Sequence, residues 1–193
     1  MLSANAFGLT KEMILEVTSE TSKCMLDFKK DFVDKYNVNL SNKLISEIIG
    51  KLFEVQCERV FTNRLGYEVR KERNDKEPDL FFTKINKPLE VKLTSTDNAW
   101  TGGEFSKRPF DYLLVSWGGL FNEFFIALVH LEKSDWHSNI SKNFYGPSYK
   151  AKKLYERKDK IILLGSLERT PRGAIKVKRE NISNTSEEID SFL

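Results

Sequence analysis

The stretch that most constrains this chain runs from Glu77 to Ser95: Glu-Pro-Asp-Leu-Phe-Phe-Thr-Lys-Ile-Asn-Lys-Pro-Leu-Glu-Val-Lys-Leu-Thr-Ser. Leu89, Val91 and Leu93 alternate with Glu90, Lys92 and Thr94, the period of two that marks a strand with one buried face. A one-residue slip would turn the charged set into the core, so the register is fixed by burial. A carboxylate and an ammonium are therefore committed to one face. The apolar run Leu80-Phe81-Phe82 just before it, separated by a short turn, predicts a hairpin.

Asp79 opens the first strand of that hairpin, and the position of the turn decides what it meets. A reversal centred on Lys84 and Ile85 puts Asp79 opposite Glu90 on the same face. A turn at Asn86-Lys87 would set Asp79 opposite Thr94, four residues or roughly 13 Å from Glu90. Only the first register, or a bulge that produces it, brings the carboxylates together. Pro88, with no N–H to give to a ladder, fits an irregular turn or an edge position nearby.

The rest of the chain supplies a core for this hairpin. Met13, Ile14, Val17, Cys24, Met25, Phe28, Phe32 and Val33 follow a helical period between Leu9 and Tyr36, with Thr10 as N-cap. Ser41 caps a second helix, running to about Phe61, whose inward set is Leu44, Ile45, Ile48, Ile49, Leu52 and Phe53. Gly50 on that helix would allow close approach to the sheet. Strands are predicted at Tyr67 to Glu72, Asp111 to Trp117, Phe124 to Leu131, Ile161 to Leu167 and Gly173 to Lys178, with a frayed tail from Asn181. A chain of 193 residues suits one domain: an N-terminal helical segment 1–40, a central region 41–133, and a basic and aromatic segment with C-terminal strands 134–193.

Charge and composition exclude several classes of function. The net charge of +3 rules out a uniformly basic coat, but twelve Lys and Arg face four Asp and Glu between His137 and Glu180. Cys24 and Cys57 have neither zinc nor disulfide spacing and read as reduced, half-buried thiols. With only two histidines, and His130 inside an apolar run, no histidine triad or zinc site is expected. No Gly-x-x-x-x-Gly-Lys-Ser/Thr stretch occurs, so no ATPase motif is visible. No apolar run approaches a membrane span and no secretory pattern opens the chain, which leads to the expectation of a cytoplasmic protein without a membrane partner.

Pro78-Asp79 followed after a short hairpin by Glu90-Val91-Lys92, with an acidic helix and a Leu65-Gly66-Tyr67 turn upstream, resembles the PD-(D/E)XK signature of restriction-endonuclease-like nucleases. The likeness covers roughly Ser41 to Trp117. It implies an α/β (α+β) fold with a restriction-endonuclease-like core, a central mixed sheet flanked by helices. It further implies Asp79, Glu90 and Lys92 as catalytic residues, Mg²⁺ as cofactor, double-stranded DNA as substrate and a homodimer for cutting both strands. In this family a helix before the first strand often adds a carboxylate, and Glu54 stands at a similar place. The metal set would then be Asp79, Glu90 and Glu54. Among the other stripe residues, Glu47, Lys51 and Glu58 read equally well as a solvated face with a Glu47–Lys51 pair, and Asp75 ranks below Asp79. The nearest functional class is a type II restriction enzyme cutting at a specific sequence, with a structure-selective nuclease or a non-catalytic DNA-binding protein as alternatives.

Two segments are candidates for DNA contact. Residues 95–109 show no helical or strand period, and so long an irregular connection is uncommon in a compact domain unless it has a function. Thr94, Ser95, Trp100, Ser106, Lys107 and Arg108 are its candidate contacts, with a plain surface loop as the alternative. Between Trp136 and Lys158 the basic and aromatic run offers Asn143, Tyr145, Tyr149, Lys150, Lys152, Lys153 and Arg157. Its cations suit phosphates and its aromatic and amide groups suit bases, while a solvated charged face is the alternative there.

Overall fold

A computed structural model describes residues 5–71, 77–141 and 144–183. Asp75 and Asn143 lie outside the described residues.

Two helices come first. α1 (Lys11–Phe28) begins where the Thr10 hydroxyl accepts the Met13 N–H at 3.3 Å, and its last turn continues as π-helix over Lys29–Asp34. α2 (Asn42–Leu65) begins where the Ser41 hydroxyl accepts the Leu44 N–H at 3.2 Å and ends at Gly66 in the left-handed conformation. Each cap satisfies an amide that the first turn leaves without a helical partner. α2 thus runs one turn past its expected end. Met13, Ile14, Val17 and Met25 are buried as expected, but Phe32 is exposed and Phe28 only half-buried. The expected inward face of α1 holds for the part that crosses the sheet and fails beyond it. There Phe28, Phe32 and Tyr36 form a surface ladder with ring centroids 5.4 and 5.8 Å apart. Leu44 is likewise exposed. Gly50 has open space where a Cβ would stand, so no close approach to the sheet requires a glycine there.

The strands are β1 (Val69–Lys71), β2 (Leu80–Phe82), β3 (Lys87–Thr94), β4 (Ala99–Thr101), β5 (Phe110–Gly118), β6 (Glu123–Leu131), β7 (His137–Ser141) and β8 (Phe144–Lys150). A short helix α3 (Ala151–Glu156) precedes β9 (Ile161–Leu164), β10 (Ser166–Arg169), β11 (Ile175–Lys178) and β12 (Glu180–Asn181). The main sheet runs β1-β2-β3-β5-β6-β12, with β9 also on β6. β3 and β5 are parallel and the other neighbours antiparallel, so the protein is α+β with a central mixed sheet. β4, β8 and β7 form a second small sheet, and β10 pairs with β11.

Alternation on β3 and β5 divides the interior in two. Leu89, Val91, Leu113 and Val115 join Phe53, Cys57, Phe61 and the α1 residues in one core. Tyr112 and Leu114, on the opposite face, join Trp100, Phe105, Phe110, Trp136 and Tyr149 in another. Segments read as surface loop or DNA-contacting run are thus partly core. The 95–109 connection contains β4 and a 3₁₀ turn (Glu104–Lys107), and Trp100 Nε1 donates to Val115 O at 2.9 Å. Two expected strand boundaries also change. Gly165, at φ 75°, splits the 161–167 run into β9 and β10. Asn181 is not frayed but pairs with Glu123, and Ile182 beside it is buried. Among the described residues, no helix is long and apolar enough to cross a membrane.

Candidate active site

The β2–β3 hairpin has the first of the two registers. Leu80 faces Leu89, Phe81 faces Pro88 and Phe82 faces Lys87, a pairing centred on Lys84 and Ile85. Asn86 closes the turn at φ 52°, a left-handed conformation that asparagine tolerates. Pro88 lies in β3 ahead of the pairing with β5, which begins at Glu90.

Continuing the register puts Asp79 opposite Glu90, and hydrogen bonds lock the pair. Asp79 Oδ2 accepts the Val91 N–H at 2.8 Å, and Glu90 Oε2 accepts the Asp79 N–H at 3.4 Å. Lys92 Nζ lies 2.5 Å from Glu90 Oε1. Both carboxylates are buried, and the Lys92 side chain is about one-fifth exposed at 19%. Asp79, Glu90 and Lys92 therefore converge as expected, on a face that carries Tyr112, whose register partner is Glu90.

Burial raises the Glu90 carboxyl from 4.5 to about 7; the Lys92 ammonium opposes this and the Asp79 charge adds to it. The Tyr112 phenol is also pushed up, first by burial and then by the Glu90 charge, against Arg108. Its hydroxyl is buried and makes no hydrogen bond among the described residues. Sequence reasoning missed Tyr112, because only the β3–β5 register brings this strand residue beside Glu90.

Glu54 lies on α2, outside the hairpin that carries Asp79, Glu90 and Lys92. α2 packs on the face of β3 opposite Glu90, through Phe53 and Cys57. Glu54 is buried and bonded to Lys51 at 2.9 Å, while Lys43 is the partner of Glu47 at 3.8 Å. The expected Glu47–Lys51 pair is thus replaced by a Lys51–Glu54 pair. Burial pushes the Cys57 thiol up, and the Glu54 and Asp79 charges add to this. Among the described residues, no group of three or more His, Cys, Asp or Glu side chains is arranged to hold a metal ion.

Two hard carboxylate donors nevertheless fit Mg²⁺, which binds through one or two carboxylates and keeps several waters. Asp79 and Glu90 would be those donors. The Lys92 ammonium supplies positive charge at Glu90, and the unpartnered Tyr112 hydroxyl adds a polar group that a hydrated ion's shell can use.

The proposed DNA contacts separate into buried and exposed sets. Trp100 and Tyr149 are buried within the second core, and Ser106 is buried as well. Ser106 Oγ donates to Gly103 O at 2.6 Å. Arg157 is bound by Asp159 at 2.6 Å and Asp135 at 2.9 Å, and Lys153 Nζ donates to Asp135 O at 2.6 Å. Their charges brace the chain around α3. Lys107 is exposed and paired with Glu104 at 2.6 Å. Arg108, Lys150, Lys152 and Ser95 remain exposed and Thr94 half-buried. Tyr145 is placed only by its position in β8, where it pairs with Ile140. The loop does lie beside the trio, since a Cβ on Gly103 would stand 3.6 Å from Lys92 Nζ.

His130 is not simply an apolar-strand residue: its Nδ1 lies 2.8 Å from Asp111 Oδ1, its cross-strand partner. Both cysteines are free, with Cys57 buried and Cys24 half-buried. Comparisons with family models, curated proteins and solved structures find no match to this chain.

Proposed function

We propose that this protein is a Mg²⁺-dependent DNA endonuclease, with Asp79, Glu90 and Lys92 as its catalytic residues. The observation that carries the reading is the convergence of two buried carboxylates and a lysine at one point on the sheet, locked by the Val91 N–H to Asp79 Oδ2 bond. Structural ion pairs seldom hold two carboxylates side by side, because each raises the cost of ionising the other.

When bound, Mg²⁺ supplies a polarised phosphate and a water of lowered pKa. Asp79 and Glu90 would hold the ion by oxygen. The Asp79 carboxylate cannot swing away, since one oxygen is tied to the β3 backbone. Lys92 would orient the attacking water by hydrogen bonding, the water's proton leaving to solvent.

A type II restriction enzyme remains the first reading of the substrate, with two copies placing two sites on the two strands. A structure-selective nuclease is the second. It is favoured by the burial of Trp100, Tyr149 and Ser106, which takes three of the candidate base-reading groups off the surface.

Incubation with a plasmid and with a phage genome, in Mg²⁺ and in EDTA, tests the activity. Discrete fragments that require Mg²⁺ support a site-specific enzyme, and cleavage confined to branched or gapped DNA supports the second reading. Folded protein that cuts neither kind of DNA would count against a nuclease.

A further inference from the structure

One row of side chains along the strands from the Asp79–Glu90 pair, the same sheet face forms a pocket. Arg70 on β1 faces Phe81 on β2, and Phe81 faces Pro88 on β3. The parallel register that sets Glu90 beside Tyr112 brings Phe110 of β5 next to this row. Phe81, Pro88 and Phe110 line a cavity of about 240 Å³ together with Arg70, Lys71 and Arg108. Arg70 lies over the Phe81 ring, 4.9 Å from its centroid, and Arg108 lies over Phe105 and Phe110 at 5.0 and 5.6 Å. The next row, two residues or roughly 7 Å farther along, carries the carboxylates.

We infer that this pocket receives a single unpaired nucleotide of the DNA substrate, next to the phosphate that is cut. The substrate class rests on the second nuclease reading, the structure-selective one. The pocket itself is argued from its chemistry. An apolar floor under two flat guanidinium groups suits a nucleobase, because stacking on aromatic rings and arginine planes is indifferent to base identity. Cations around it suit the phosphates on either side of that base. A base inside a duplex has both faces covered by its neighbours, so it could enter only after leaving its stack. The Arg70–Phe81 and Arg108–Phe110 stacks hold the guanidinium planes ready and reduce what must be ordered on binding.

The test is fluorescence anisotropy in EDTA with labelled DNA of three kinds: single-stranded, duplex with a short internal gap, and fully paired. Wild type should bind the gapped and single-stranded DNA about tenfold more tightly than the paired duplex. Arg70→Ala and Arg108→Ala should bring that ratio close to one. Arg108→Lys, which keeps the charge and loses the plane, should keep duplex affinity and lose the preference. Circular dichroism of each variant confirms folding. Equal binding of all three DNAs by wild type, or variants that weaken all three by the same factor, would overturn the pocket. Binding in EDTA needs no catalysis, so the two readings fail separately. A preference without cleavage in Mg²⁺ leaves the pocket and removes the nuclease, and cleavage without a preference removes the pocket alone.

Discussion

Replacing Glu90 by Gln should stabilise the metal-free protein at alkaline pH relative to wild type, and should do so far less in acid. The Glu90 carboxyl is raised from 4.5 to about 7 in the folded chain, mainly by burial. The folded state therefore holds this proton more tightly than the unfolded state. The stabilisation from that proton is full below the unfolded value and is lost as pH rises through the folded one. The whole range corresponds to roughly 3 kcal/mol, most of it falling between pH 5 and 8.5. Gln cannot ionise, has nearly the same volume and still offers an oxygen to Lys92. Urea unfolding of both proteins in EDTA at the two pH values reads the effect directly. The stability of the variant minus that of wild type should grow by roughly 2–3 kcal/mol from acid to base, about 5–10 °C in Tm. The same difference at both values would mean that Glu90 ionises without strain, and the electrostatic picture of the site would be wrong.

Mg²⁺ should raise the Tm of wild type at pH 8.5, because an ion bound by Asp79 and Glu90 offsets that charge, and should raise Glu90→Gln much less; thermal unfolding with and without the ion is the check. Trp100→Ala should cost roughly 3–5 kcal/mol in urea unfolding, as expected for a buried aromatic; intact stability with weakened DNA binding would restore it as a DNA contact. Gly165→Ala should destabilise by roughly 1–3 kcal/mol, since φ is 75° and the new Cβ would meet Lys178 O at 2.5 Å; wild-type stability would show that the β9–β10 break relaxes freely.

The hairpin and the buried face of β3 were legible because a one-residue slip would bury Glu90 and Lys92, whereas the choice between the two turns, which bury the same face, was not. Thr10 and Ser41 were legible as caps because an isolated hydroxyl before an apolar period has few other uses. What was hidden is non-local. Nothing in the local pattern says that β3 and β5 run parallel with Glu90 beside Tyr112, or that a second sheet face needs covering. The chain covers that face with Trp100, Trp136 and Tyr149, aromatic residues set among polar and charged neighbours that read locally as surface. Arg157 and Lys153 misled for a related reason, since their partners Asp135, Asp159 and the Asp135 carbonyl are brought to them by the folding of α3.

The most direct test of the central claim is the single-turnover cleavage rate on a DNA that wild type cuts, in Mg²⁺, for wild type, Asp79→Asn, Glu90→Gln and Lys92→Ala, each shown to be folded. The account predicts Mg²⁺-dependent cleavage that is at least about a hundredfold slower in every variant. Variants that cut at the wild-type rate, or wild type that cuts as fast in EDTA, would contradict it.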